Sequence, residues 1–98
     1  MTIQKNQTGA DLTIALEGRL DTMTAPELEA ELKTALDGVE NLTIDLASLE
    51  YISSAGLRVL LSAQKVMGKR GGMTLTNVSE TIMEIFEVTG FVDILTIV

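Results

Sequence analysis

A chain of 98 residues, 46% of them apolar, has the material for one core, and no Pro/Gly-rich linker divides it, so residues 1–98 are expected to form a single domain. The absence of cysteine excludes disulfides and thiolate chemistry, and the absence of histidine excludes the usual zinc sites and His-based triads, which points away from an enzyme and from a bound cofactor or metal. Fourteen acidic against seven basic residues disfavour direct contact with nucleic acid or an anionic membrane, and the lack of a secretion signal or of an apolar run of about 18 residues predicts a cytoplasmic protein.

The opening reads as a hairpin: a strand around Ile3–Gln7, a turn at Thr8-Gly9-Ala10-Asp11, and a second strand over 12–17 in which Leu12, Ile14 and Leu16 alternate with Thr13, Ala15 and Glu17. Gly18-Arg19-Leu20-Asp21 closes it. Thr24-Ala25-Pro26-Glu27 then has the T-x-x-E spacing of a capping box with proline in the first turn. This predicts a helix over 24–37 with Leu28, Leu32, Ala35 and Leu36 on one face. Leu42, Ile44 and Leu46 mark a strand over 42–46, after which 47–53 reads as a short loop.

A second, largely buried helix is expected from Ser54 to Arg70, with Leu57, Leu60, Leu61, Ala63 and Met67 as its apolar cover and Arg58, Ser62, Lys65 and Lys69 as a polar stripe. Gly71-Gly72 supplies the stop, and 73–77 is the next strand. Ser79 caps a third helix over 79–89 that turns Ile82, Ile85 and Phe86 inward; Gly90 ends it and places Phe91 to touch Phe86. Ile94 to Val98 reads as a final buried strand. Strands alternating with single helices favour right-handed parallel crossovers. With the antiparallel opening hairpin, the fold class is α/β at the α+β border: a mixed sheet of about five strands with three or more helices packed on it.

The segment running from Asp45 through Ser53-Ser54-Ala55-Gly56-Leu57-Arg58 is a strand, a loop and a helix start. A serine at a helix N-terminus faces free backbone N–H groups and the positive end of the helix dipole, which suits a phosphate. The same position suits a serine that merely caps the helix, and Ser53 and Ser54 are both candidates for that role.

Over essentially its whole length the chain resembles the STAS family, and within it the stand-alone anti-sigma factor antagonists of bacteria. In that family a loop of aspartate, serine, a second serine or threonine, glycine and leucine precedes the second helix, and the first hydroxyl residue is phosphorylated by a partner kinase. Aligned on Gly56-Leu57, Ser54 takes the phosphoacceptor position, Ser53 stands where aspartate is usual, and Ala55 stands where a second hydroxyl is frequent. Gly18-Arg19-Leu20-Asp21 and the stretch from Ser79-Glu80-Thr81-Ile82 to Thr89-Gly90-Phe91 resemble two further family segments.

The resemblance implies that the unmodified chain binds an anti-sigma factor that is also a serine kinase, so freeing the sigma factor. ATP would come from that partner, and a serine phosphatase would reset the switch. Asp21, Thr22, Ser53, Ala55, Gly56, Leu57 and Arg58 would then form the partner-binding rim around Ser54. Arg58, one turn on, is placed to meet an acidic partner surface, and Val59 and Val66 border the polar stripe as either core or contact residues. The alternative within the same family is an accessory subunit of an ABC-type lipid transporter, bound to its ATPase.

Overall fold

The computed structural model describes residues 1–98. In chain order the elements are β1 (Thr2–Thr8), β2 (Asp11–Leu20), α1 (Ala25–Ala35), β3 (Asn41–Ile52), α2 (Ser54–Met67), β4 (Gly72–Thr76) and α3 (Glu80–Thr89), with a 3-10 turn at Phe91–Asp93. One sheet runs β1-β2-β3-β4, antiparallel between β1 and β2 and parallel thereafter. The crossovers β2-α1-β3 and β3-α2-β4 step in the same direction across the sheet, and a common hand puts both helices on one face, where α1 and α2 pack on each other.

That face carries the core. Leu12, Ile14, Leu16 and Leu20 of β2, Leu42, Ile44 and Leu46 of β3, and Met73 and Leu75 of β4 are buried with Leu28 and Leu32 of α1, Leu60 and Met67 of α2, and Ile82 and Phe86 of α3. The intervening Thr13, Glu17, Thr43, Asp45, Thr74 and Thr76 lie on the other face, polar and at least partly exposed. At about 1.5–3 kcal/mol for each large apolar side chain removed from water, this single layer of contacts holds the helices on the sheet.

The structure corrects the sequence reading in four places. First, the sheet has four full strands rather than five. The segment after Gly90 makes a 3-10 turn and reaches the edge of β4 only at Thr96, whose carbonyl accepts from the Leu75 N–H (2.8 Å) while the Val98 N–H donates back to Leu75 (3.1 Å). Leu95 is buried there, but Ile94 and Val98 are exposed. Second, β3 continues through 47–52 instead of ending in a loop. Its inward residues Leu46, Leu49 and Ile52 are spaced by three because the β2–β3 register shifts twice, each time with an extra residue on β3. Such bulges break the two-residue alternation by which a strand is recognised.

Third, Thr24 does not cap α1 through its side chain; it sits in helical φ/ψ itself, and Asp21 takes the capping role from three residues upstream. A carboxylate is the stronger acceptor for free N–H groups at the positive helix end. Fourth, α2 ends at Met67, with Gly68 to Gly71 forming the turn into β4. Arg70 is consequently free to reach across, and its Nη1 donates to the carbonyls of Leu36 (2.6 Å) and Val39 (3.0 Å) at the C-terminal end of α1.

Candidate functional site

The two β2–β3 bulges bring the strands flush at their C-terminal ends, where Leu20 pairs with Ile52 and the Ser53 N–H donates to the Leu20 carbonyl at 2.9 Å. The chain leaves β2 at Asp21 and β3 at Ser53, so the β2–α1 turn and the start of α2 share one rim of the sheet. The rim collects the residues expected from the sequence, with distinct tasks.

Ser53 is the helix cap. It holds extended backbone angles, its Oγ accepts from the Gly56 N–H at 3.4 Å, and its carbonyl accepts from the Leu57 N–H at 2.9 Å. Ser54 is therefore the first residue of α2 proper, with an exposed side chain and no acidic residue in the helix's first turn. The fold does not use its hydroxyl for the cap. Ala55 is half-buried and Arg58 is exposed one turn further along.

Gly56 and Leu57 are buried, so their side-chain positions face the core. A Cβ on Gly56 would come within 2.7 Å of Leu20 Cγ, 2.9 Å of Ile52 Cγ1 and 3.0 Å of the Leu20 carbonyl oxygen. The glycine in this first turn is thus explained by close packing of α2 on the ends of β2 and β3. Leu57, 4% exposed, anchors the same turn from below.

On the facing turn, the Asp21 Oδ1 accepts from the Met23 N–H (3.0 Å) and the Thr24 N–H (3.1 Å), while the Asp21 N–H donates to Thr24 Oγ1 (2.9 Å). The Thr24 hydroxyl in turn donates to the Arg19 carbonyl at 2.7 Å. The hydrogen bond from the Thr24 N–H, aided by that from Met23 and by the nearby Arg19, holds the Asp21 carboxyl below its ordinary range against a partial desolvation that pushes it up. Arg19 Nε lies 3.8 Å from Asp21 Oδ2, and its guanidinium sits over the Tyr51 ring at 4.5 Å.

A groove between the starts of α1 and α2 joins Thr22, Ala55 and Arg58, three of the expected rim residues, with Pro26, Glu29 and Ser62. The rim also contains side chains that sequence reasoning passed over. Met23 is 83% exposed at the tip of the β2–α1 turn, and Tyr51 is partly exposed beside Arg19. Neither has a pattern signal: Met23 lies outside any periodic segment, and Tyr51 fell in what reads as loop. No three His, Cys, Asp or Glu side chains cluster as a metal site would require, and no helix is long and apolar enough to cross a membrane.

A four-stranded mixed sheet with helices on one face, and a serine-bearing helix start at the ends of its parallel strands, defines a class of domain. The family model described as "Mlab, STAS domain" matches residues 3–96, and the chain belongs to the STAS domain family. More particularly, it is 40% identical over 85 residues to the putative anti-sigma factor antagonist BtrV of Bordetella bronchiseptica, covering 85% of this chain and 73% of that protein. It is 31% identical over 98 residues to the anti-sigma-B factor antagonist of Bacillus subtilis, covering 99% and 90%. Among solved structures, the Bacillus cell fate determinant SpoIIAA in its phosphorylated form shares the fold with a TM-score of 0.75 at 22% identity, covering 99% of this chain and 91% of that one.

Proposed function

We propose that this chain is an anti-sigma factor antagonist whose unphosphorylated form binds an anti-sigma factor with serine kinase activity, releasing the sigma factor, and that phosphorylation of Ser54 switches binding off. Residues 1–98 act as one regulatory unit in the cytoplasm and perform no catalysis of their own. ATP enters with the partner, and a serine phosphatase restores the unmodified state. The names of the relatives support the class of activity. The observation that carries the residue assignment is the division of labour at α2: Ser53 caps the helix, which leaves the exposed Ser54 hydroxyl at the first helical position without a structural task.

The chemistry of the switch follows from charge. A phosphoserine adds roughly −1.5 to −2 charges at neutral pH. At a helix N-terminus those charges are favourable to the helix, so the fold tolerates them. On a docked surface they would have to be desolvated on a rim that already carries the Asp21 carboxylate, which weakens the complex.

Titration calorimetry of the kinase-type anti-sigma factor, with its nucleotide, against the wild type, Ser54→Ala and Ser54→Asp tests this. Ser54→Ala is expected to bind as the wild type and to take up no phosphate; Ser54→Asp is expected to bind at least about tenfold more weakly, a change of about 1.4 kcal/mol. Equal affinities for the two variants would reduce Ser54 to a surface residue. Capture of a transporter ATPase, with no binding to the anti-sigma factor, would instead support the accessory-subunit reading.

A further inference from the structure

The seven basic residues are unevenly placed. Between Glu50 and Glu80 the chain has no acidic residue and four basic ones, Arg58, Lys65, Lys69 and Arg70, so this stretch carries +4 while the remainder carries −11 within the net −7. Arg70 is occupied by the carbonyls at the end of α1. Arg58, Lys65 and Lys69 are exposed, and none enters the chain's three salt bridges. At 3.6 residues per turn, Ser54, Arg58, Leu61 and Lys65 lie within about 60° of one another on α2, and Lys69 follows in the turn beyond. Leu61, half-buried, lies between the cations and outside the core cluster.

We propose that this stripe is a docking face for an acidic ridge on the protein partner, with Leu61 as its apolar contact. The proposal deepens the function put forward above and rests on it. Helix stability does not explain the stripe. Lys65 in the last turn complements the helix dipole, but Arg58 lies near the positive end of α2, where a cation gains nothing, and α2 has no acidic side chain to pair with any of them. The surroundings select the kind of partner. Glu29, with Lys33 at 3.9 Å, and the unpaired Asp37 of the neighbouring α1 segment line the groove alongside, where Arg70 is held by carbonyls, and at a Debye length of about 8 Å a broad polyanion such as DNA or an anionic bilayer would meet Asp37 as well as the stripe. A narrow ridge on a folded protein would not.

Ser54 stands at one end of the same stripe, four residues before Arg58. A phosphate there would pair with Arg58 across one helical turn and withdraw that cation from the partner. Phosphorylation would then act by cancelling attraction as well as by adding a charge to desolvate.

The test is a Lys65→Glu/Lys69→Glu double variant of the full chain, with Ser54 untouched about 16 Å away along the helix. Association and dissociation rates with the purified kinase-type anti-sigma factor and its nucleotide are measured across a salt series. The expected result is an association rate at low salt at least about tenfold below wild type, with a flattened salt dependence and a dissociation rate changed far less. Lys65→Arg/Lys69→Arg should keep the wild-type kinetics, and thermal melts check that the variants are folded. Wild-type association and salt dependence in the folded Glu variant would overturn the docking face while leaving the Ser54 switch standing. Failure of the wild type itself to bind would overturn both. Lysine-dependent binding of equal strength to oligothymidine, or to vesicles of phosphatidylserine and phosphatidylcholine in equal parts, would overturn the choice of a protein ridge.

Discussion

Replacing Gly56 by alanine sets two effects of opposite sign against each other. Alanine is the better helix former by about 1 kcal/mol, so on propensity alone the variant would be more stable. The new methyl group, however, enters a space already occupied: 2.7 Å from Leu20 Cγ, 2.9 Å from Ile52 Cγ1 and 3.0 Å from the Leu20 carbonyl oxygen. The first two neighbours belong to fully packed side chains, and the third is fixed by the Ser53 N–H it accepts at 2.9 Å. Overpacking of this kind costs about 1–3 kcal/mol, and with an immovable carbonyl the upper half of that range applies, for a net loss of about 1–2 kcal/mol. Urea titration reads it directly, and the melting temperature should fall by about 4–8 °C per kcal/mol for a domain of this size. In a double-mutant cycle, Leu20→Ala removes the closest clash, so Gly56→Ala should cost at least about 0.5 kcal/mol less in that background. A Gly56→Ala variant as stable as the wild type, or more so, would refute the packing account.

The division between Ser53 and Ser54 predicts unequal stability effects: Ser53→Ala should lose about 0.5–1 kcal/mol, the low end for a cap because its bond is long, whereas Ser54→Ala should change stability by less than about 0.5 kcal/mol. Equal losses in chemical denaturation would mean that the two hydroxyls share the cap. Asp21 predicts a pH effect with a definite sign. Its folded carboxyl titrates below the ordinary value of 3.8, so its contribution is present above that value and is lost as pH falls through the lowered folded value. Asp21→Asn, which keeps a capping side chain, should flatten the acid limb of the stability curve, and an unchanged limb would remove Asp21 from the account.

What the sequence could reveal was set by periodicity. Leu12-Ile14-Leu16 and Leu42-Ile44-Leu46 alternate cleanly and were legible as strands, and the capped, amphipathic α3 was legible to within a residue, with Ser79 accepting from Ile82 and Gly90 in the left-handed region as expected. The extension of β3 was not legible, because Leu46, Leu49 and Ile52 follow the spacing that two bulges impose and no strand template contains it. The α1 start was legible as a position but not as chemistry: Thr24 and Glu27 have the spacing of a capping box, yet Asp21, which outcompetes them, is recognisable only once the β2–α1 turn is folded. At the expected site, the motif was legible as a helix start at Ser54. Only packing separates Gly56 and Leu57, which build the platform, from Arg58 and Met23, which are exposed on it.

That separation bears on how a signal at Ser54 would be transmitted. The start of α2 is pinned from several directions: Ser53 holds the Leu20 carbonyl and the Gly56 N–H, Gly56 lies against Leu20 and Ile52, and Leu57 is sunk in the core. A ligand or modification shifts a conformational equilibrium only by its differential interaction with two states, and moving a helix start tied in this way would break all of these contacts together. A phosphate on Ser54 would also favour the helix already present, since its charge complements the dipole. The proposed switch is therefore a change in surface electrostatics on a rigid frame. Its effect is felt by whatever docks on the rim and along α2, and it leaves the fold itself as it was.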